Sequence, residues 1–278
     1  MPELPEVEFA ARTARELLEG RTIVALHVLH PALRRALDDG EAASLAGDVV
    51  IALARRGKHQ MLQLASGRTL EVHFRMSGDW RAIGGEGELP PHARAVFALD
   101  DGRRLVLDDP RALATLTLHA AGSDPLSSLG PDATDAAFTP AGLAVQLAKR
   151  RGAIKPALLD QRVVAGVGNI YACEALWYAR VHPATPCPRL DARALRAIVA
   201  GIRRALRRAL ARPGRVYGAE ATPADRRLNV YGREGRPCRR CGTAITREVL
   251  AGRGTYFCPA CQRRARRAPT PARRARHP

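Results

Sequence analysis

Little in this sequence is aromatic, and none of it is apolar for long. Phe, Trp and Tyr make up 4% of the 278 residues, and there are three methionines. No apolar run approaches the roughly 20 residues that a membrane-crossing helix needs, so no span is expected. No cationic and then apolar leader precedes the acidic first residues, which points to a cytoplasmic protein. Internal repeats are missing, which excludes a solenoid or propeller. Cysteine is limited to six residues. Without a secretory leader they suit metal ligation in a reducing compartment better than a disulfide framework. Acids are also in short supply: 27 Asp and Glu against 45 Lys and Arg leave a formal charge of +18 and a pI near 11.0.

That charge implies a polyanionic partner, nucleic acid first and an anionic membrane surface second. A basic bias inherited from an Ala- and Arg-rich composition is the plainer alternative. Although aromatics are few, 46% of the chain is apolar, enough for a substantial core. Its length suits two domains, or one domain with appendages.

The first eight residues, Met1-Pro2-Glu3-Leu4-Pro5-Glu6-Val7-Glu8, put three acids beside a proline that becomes the N-terminus once Met1 is removed. A small second residue permits that removal. Pro5 and the glutamates suit a helix start, and Val7, Ala10, Ala11, Ala14, Leu17 and Leu18 form one apolar stripe. The terminus is therefore expected to be held by a packed helix. Short apolar segments at 22–28, 48–54, 60–64, 69–74, 93–99, 103–107 and 113–118 read as strands separated by turn signals, with a small helix over 36–45. Seven such strands suggest an antiparallel sandwich or barrel. The composition then shifts. A linker-like stretch leads to helical patterns at 140–151, 155–160, 170–179 and 191–211, the first opened by Thr139 as N-cap and Pro140. We expect a sandwich domain over 1–121, a linker over 122–139, a helical domain over 140–228, a zinc module over 229–264 and a disordered basic tail over 265–278.

Cys238-Pro-Arg-Arg-Cys241 and Cys258-Pro-Ala-Cys261 are separated by sixteen residues. Each two-residue gap lets both sulfurs face one tetrahedral ion at about 2.3 Å, and four thiolates leave no open position, so the zinc is structural. Arg253 sits at the turn between two short strands, where a metal-fixed hairpin can grip a phosphate. Cys173 and Cys187 read as ordinary thiols.

Three stretches together resemble the formamidopyrimidine-DNA glycosylase/endonuclease VIII family: residues 2–8, Val163-Val-Ala-Gly-Val-Gly-Asn-Ile-Tyr-Ala-Cys-Glu174, and the four-cysteine ribbon. Lys58, His73-Phe-Arg-Met-Ser-Gly78, Asp109-Pro-Arg111 and Ala153-Ile-Lys-Pro156 fall at compatible places between them. The resemblance implies an α+β fold: an N-terminal antiparallel β-sandwich with flanking helices, a helix–two-turns–helix domain and a C-terminal β-hairpin zinc finger. It implies a bifunctional glycosylase/lyase, a monomer on damaged double-stranded DNA, with no membrane partner and a bacterial nucleoid setting. By the same resemblance Pro2 is the nucleophile, Glu3 the general acid/base, Glu6 a supporting carboxylate, Lys58 a contact to the phosphate near the lesion or an aid to proton transfer, and Arg253 a phosphate-side partner. Met76 matches the wedge that fills the vacated stack, Arg111 faces the orphaned base and Leu113 inserts beside it. His92, Arg150, Lys155 and Asn169 match DNA-backbone contacts.

Three departures from the family pattern stand out. Leu113 stands where an aromatic is usual, and Arg94 where a second histidine is often found. The segment 214–228 is short for a loop that closes over 8-oxoguanine. That weakens 8-oxoguanine as the specific substrate, but the Glu3-Leu-Pro-Glu-Val-Glu8 wording resembles the formamidopyrimidine side of the family. Oxidised purines and formamidopyrimidines are thus the first expectation, with oxidised pyrimidines or abasic-site lysis following. A zinc-ribbon nucleic-acid binder without chemistry is the alternative of another class.

Overall fold

The computed structural model describes residues 2–211 and 228–264. The basic tail, and the segment ahead of Asn229 apart from Leu228, lie outside the described residues.

The chain opens with α1 (Leu4–Leu18), in which Leu4, Val7, Ala10, Ala11, Ala14 and Leu18 are buried and Leu17 packs partly buried on the core. Eight strands follow: β1 (Ile23–Val28), β2 (Val50–Arg56), β3 (His59–Leu64), β4 (Thr69–His73), β5 (Asp79–Ile83), β6 (Ala93–Leu99), β7 (Arg104–Asp108) and β8 (Thr115–His119). They form two four-stranded antiparallel sheets ordered β1-β6-β7-β5 and β2-β3-β4-β8. The period-two burial of β3 and β4 aims Leu62, Leu64, Leu70 and Val72 at the core, while in β2 a register shift between Val50 and Ala52 lets Val50 and Leu53, three residues apart, both face it. Trp80 stands edge-on between Phe74 and Phe97 at 5.7 and 5.8 Å and donates its indole N–H to Gln60 Oε1 at 2.9 Å. A buried Trp is thereby satisfied, and each edge contact adds about 0.5–1.5 kcal/mol beyond burial.

One strand went unforeseen. In β5 only Trp80 is fully buried, and the segment is flanked by Gly78 and Gly84, so it shows no alternation. Its partner β7 supplies the order, through pairs such as Trp80 with Leu107. The single small helix expected over 36–45 is instead two short ones, α2 (Pro31–Arg34) and α3 (Asp39–Ala43). Asp38 restarts the chain by accepting the Glu41 N–H at 2.8 Å.

Beyond the sandwich lie α4 (Pro140–Leu147), α5 (Ile154–Leu159), α6 (Asn169–Ala179) and α7 (Ala192–Leu210). Thr139 and Asp191 cap α4 and α7 by accepting N–H groups at 3.0 and 2.7 Å. The apolar stripe of α7 is buried, while Arg193, Arg196, Arg204, Arg207 and Arg208 are exposed. The hairpin β9 (Thr246–Leu250) and β10 (Arg253–Phe257) follows. The two halves are fastened beside α1. Arg55 donates to Glu8 at 2.8 Å and to Asp132 at 2.7 Å, and Asp132 also accepts the Gly57 N–H at 2.7 Å. Glu8, the third acid of the opening stretch, is thus a structural partner. No helix among the described residues is long and apolar enough to cross a membrane.

Candidate active site and nucleic-acid interface

The extended N-terminal residues ahead of α1 lie against α6, which holds them. Glu3 is buried, and its carboxylate accepts backbone N–H groups of Gly168 at 2.9 Å, Ile170 at 2.8 Å and Tyr171 at 3.2 Å. Those are the unpaired donors that open α6, where the helix dipole favours negative charge. Two glycines admit this approach. A Cβ on Gly168 would lie 2.3 Å from Glu3 Cδ, and one on Gly166 would lie 2.5 Å from Leu4 Cδ1. Gly166 also takes φ of 98°, a conformation few side-chain-bearing residues adopt. A glycine pair that is weak evidence as a motif is therefore the surface on which the N-terminus rests.

Glu6 turns back on the same site. Its Oε2 accepts the Glu3 N–H and its Oε1 accepts the Tyr171 hydroxyl, both at 2.9 Å. Burial, then the neighbouring Glu3 charge, push the Glu6 carboxyl up to about 7. Burial also raises Glu3, against the attraction of Lys58 and the pull of the three N–H groups. Lys58 is itself buried just past the Gly57 turn, and loss of hydration lowers its ammonium against the attraction of Glu3. The Arg253 charge pushes it further down, so the zinc hairpin brings a second cation to this site. A raised native carboxyl stabilises the fold below its unfolded value near 4.5, and that contribution is lost as pH rises through about 7. Glu6→Gln should therefore lose less stability than the parent between pH 5 and 8. Thermal melting of both at the two pH values checks it, and parallel pH dependence would refute the raised carboxyl.

Pro2 and Glu6 line one side of a cleft of about 970 Å³, with Phe9, Met76, His92 and Pro110 among its other walls. Above it stand two loops. Met76 is 37% exposed, next to Arg75 at φ of 52°, whose N–H donates to His73 Nδ1 at 3.0 Å. Burial lowers His73 to about 3, so its ring stays a neutral acceptor. Arg111 is exposed and Leu113 is 42% exposed on the second loop. Each of the two loop tips thus leaves a large apolar side chain in water.

Other residues of the expected set are placed differently. Lys155 is fully buried, its ammonium donating to Thr255 Oγ1 at 2.7 Å and to the Gly254 carbonyl at 3.3 Å. Asn169 donates to the same carbonyl at 3.0 Å. In this state both fasten the zinc hairpin to α5 and α6. Arg150 lies just beyond α4 and is paired with Asp160 at 2.7 Å. Sequence reasoning gave no role to Tyr171, Arg55 or Asp109. Asp109 was visible only as a letter in Asp109-Pro-Arg111, and its buried carboxylate accepts N–H groups from Leu113 and Ala114 at 2.6 and 2.7 Å.

The four sulfurs of Cys238, Cys241, Cys258 and Cys261 lie within 4.8 Å of one another. A tetrahedral ion with thiolates at about 2.3 Å separates its ligands by about 3.8 Å, so the set fits one structural zinc. The Trp177 indole and the Arg240 backbone each donate to Cys238 Sγ at 3.4 Å, which orients that ligand.

Three family models match successive parts of the chain: the formamidopyrimidine-DNA glycosylase N-terminal domain over residues 1–116, that glycosylase's H2TH domain over 129–219, and the zinc finger found in FPG and IleRS over 235–264. The formamidopyrimidine-DNA glycosylase of Chloroflexus aurantiacus is 41% identical over 94% of this chain and 98% of its own. The chain belongs to the formamidopyrimidine-DNA glycosylase family. That makes it an enzyme, a DNA glycosylase of base-excision repair. The Roseiflexus relative is 42% identical over 95% of this chain and all of its own. Among solved structures, a Lactococcus lactis FPG mutant bound to Fapy-dG-containing DNA superposes with a TM-score of 0.87 at 30% identity, covering 95% of this chain and 100% of that one. MutM (FPG) from Thermus thermophilus gives 0.82 at 36% identity, covering 94% and 98%. The expected α+β architecture, with sandwich, H2TH domain and zinc finger, is the observed one.

Proposed function

We propose that this glycosylase is also an abasic-site lyase that works through the amine of Pro2. The observation carrying the reading is a buried carboxylate, Glu3, held on three helix-end N–H groups next to a chain terminus in an open cleft. With Met1 removed, an α-amine titrating near 8 is about one-tenth free at pH 7, whereas an unperturbed lysine is less than a thousandth free. The free secondary amine attacks the anomeric carbon, and the damaged base leaves. The nitrogen gives up its proton, and the ring C–O bond at the anomeric carbon opens as Glu3 protonates the ring oxygen. The iminium so formed draws electrons from the neighbouring carbon, so a proton there can be removed and the C–O bond to the phosphate on the next carbon breaks. A second elimination releases the other phosphate. Glu3 moves the protons, Glu6 supports it, and Lys58 and Arg253 attract the phosphates. The target nucleotide must leave the stack, and Met76, Arg111 and Leu113 occupy the space it vacates.

Damaged double-stranded DNA is then the partner, bound by a monomer, with His92 and Arg150 on the phosphate side and Lys155 and Asn169 holding in place the hairpin that carries Arg253. Solved relatives were captured with Fapy-dG-containing DNA and with carbocyclic 8-oxo-G DNA, which supports oxidised or ring-opened purines as the substrate class. A second reading, oxidised pyrimidines, has support in a Lactococcus lactis relative bound to DNA with such a lesion. Borohydride should trap a covalent adduct between the protein and abasic duplex. N-terminal mass spectrometry should show Pro2 first, and the fraction retaining Met1 should be absent from the adduct. Protein with a free Pro2 that forms no adduct on any damaged duplex would favour a non-catalytic DNA binder.

A further inference from the structure

We propose that Asp109 is a positioning residue that makes the two exposed loops enter DNA as one body. The inference rests on the reading that Met76, Arg111 and Leu113 fill the opened stack. Asp109 lies between β7 and β8 and is 0% exposed. Its Oδ1 accepts the Ser77 hydroxyl at 2.5 Å and the Arg111 N–H at 3.2 Å. Its Oδ2 accepts the N–H groups of Leu113 and Ala114 at 2.6 and 2.7 Å. All four donors are neutral. One belongs to the loop that carries Met76, and three belong to the loop that carries Arg111 and Leu113.

The backbone around this carboxylate is fixed as well. The Asp109 N–H donates to the His92 carbonyl at 3.0 Å, and its own carbonyl accepts from Ala112 N–H at 3.1 Å and Arg94 Nε at 2.7 Å. The guanidinium of Arg94 also reaches the Pro110 carbonyl at 3.5 Å. Arg94, a departure from the family pattern, therefore braces the base of the second loop. Ala112 takes φ of 50°, a conformation rarely adopted outside glycine, and it sits between Arg111 and Leu113, two of the four residues that donate to the Asp109 carboxylate.

A carboxylate is acceptor-only at both oxygens, and this geometry uses both. An amide has one accepting oxygen and would aim its NH2 at donors. Asp109→Asn that keeps its oxygen on the Leu113–Ala114 turn therefore turns an NH2 toward the Arg111 N–H, which loses its acceptor. It holds Ser77 only by making that hydroxyl the acceptor of a neutral, weaker bond, so the two loops are coupled less tightly. The chemistry at Pro2 is left in place, because Asp109 touches neither Glu3 nor Glu6. An abasic sugar in single-stranded DNA needs no wedge, whereas the same sugar in a duplex does.

The test uses one abasic oligonucleotide, single-stranded and paired, with 2-aminopurine opposite the site. Stopped-flow fluorescence reports stack opening and borohydride trapping reports the adduct. Asp109→Asn should slow both signals on the duplex by about tenfold or more, while trapping on the single strand stays within about twofold of the parent. Ser77→Ala, which removes a single link and disturbs no backbone donor, should give a smaller loss of the same kind and add nothing in the double variant. Equal losses on single strand and duplex would make Asp109 merely structural and overturn the proposal, as would parent-like duplex kinetics in both variants. If the parent opens duplexes but traps nothing, the lyase reading fails, and the fluorescence of the variants still decides the role of Asp109.

Discussion

Glu3→Gln is expected to cut single-turnover base release from a lesion duplex by about 10²- to 10⁴-fold, the range that a positioned general acid/base contributes. The geometry makes this a severe test, because the substitution changes little else. Gln keeps the volume that Gly168 makes room for, and its oxygen can still accept from one or two of the three N–H groups at α6. What it loses is the exchangeable proton and the charge that faces Lys58. An amide N–H₂ turned toward a backbone donor leaves one buried group unpaired, a cost of about 1–3 kcal/mol that melting will register. A large kinetic loss with a modest melting loss is the expected combination. Turnover within tenfold of the parent would remove Glu3 from the proton transfers. A loss of Glu3's charge also leaves Lys58 buried without its nearest opposite charge. Its ammonium should then titrate lower still, which chemical modification of Lys58 at neutral pH can detect as a faster rate.

The contrast between what the sequence shows and what it hides follows from the range of the interactions. Helix α1 is legible because its apolar stripe is local, and the zinc set is legible because each cysteine pair is closed by a two-residue gap. Strand β5 is not, because its order comes from pairing with β7, a long-range term that leaves no alternation in residues 79–83. The site divides in the same way. Glu3 and Glu6 stand in one short motif, but Tyr171, which bonds Glu6, is 165 residues away and looks like a core aromatic. Lys155 shows the opposite difficulty. A lysine in a basic protein reads as a phosphate contact, whereas this one has its ammonium enclosed by Thr255 and Gly254, residues whose proximity depends on the fold of the metal hairpin.

Removing zinc should weaken binding to abasic duplex by at least about 100-fold at physiological salt while leaving the sandwich folded. Helix α6 supports both the N-terminal site and the zinc module. Its N-terminus holds Glu3, and its middle holds the chain leading to the zinc module. There the Glu174 carboxylate accepts backbone N–H groups of Asn229, Val230 and Tyr231 at 2.8–3.0 Å. Near its end Trp177 donates to Cys238 Sγ. The zinc module has few buried apolar residues of its own, with Val230, Ile245 and Phe257 among them, so the metal supplies its folding free energy, about 10–16 kcal/mol in comparable peptides. Without it the Gly254 carbonyl leaves Lys155 and Asn169, and Arg253 leaves the neighbourhood of Lys58. The Glu174 contacts do not involve the metal, so unfolding should stop at about residue 231 and spare Glu3. Hydrogen exchange on chelated protein should show exactly that boundary, with lost protection in β9 and β10 and retained protection in α6. Cys258→Ser should reproduce the loss of binding without a chelator. Chelated protein that keeps both its hairpin protection and its DNA affinity would show that the four sulfurs hold no structural ion, and that Arg253 is placed by the polypeptide alone.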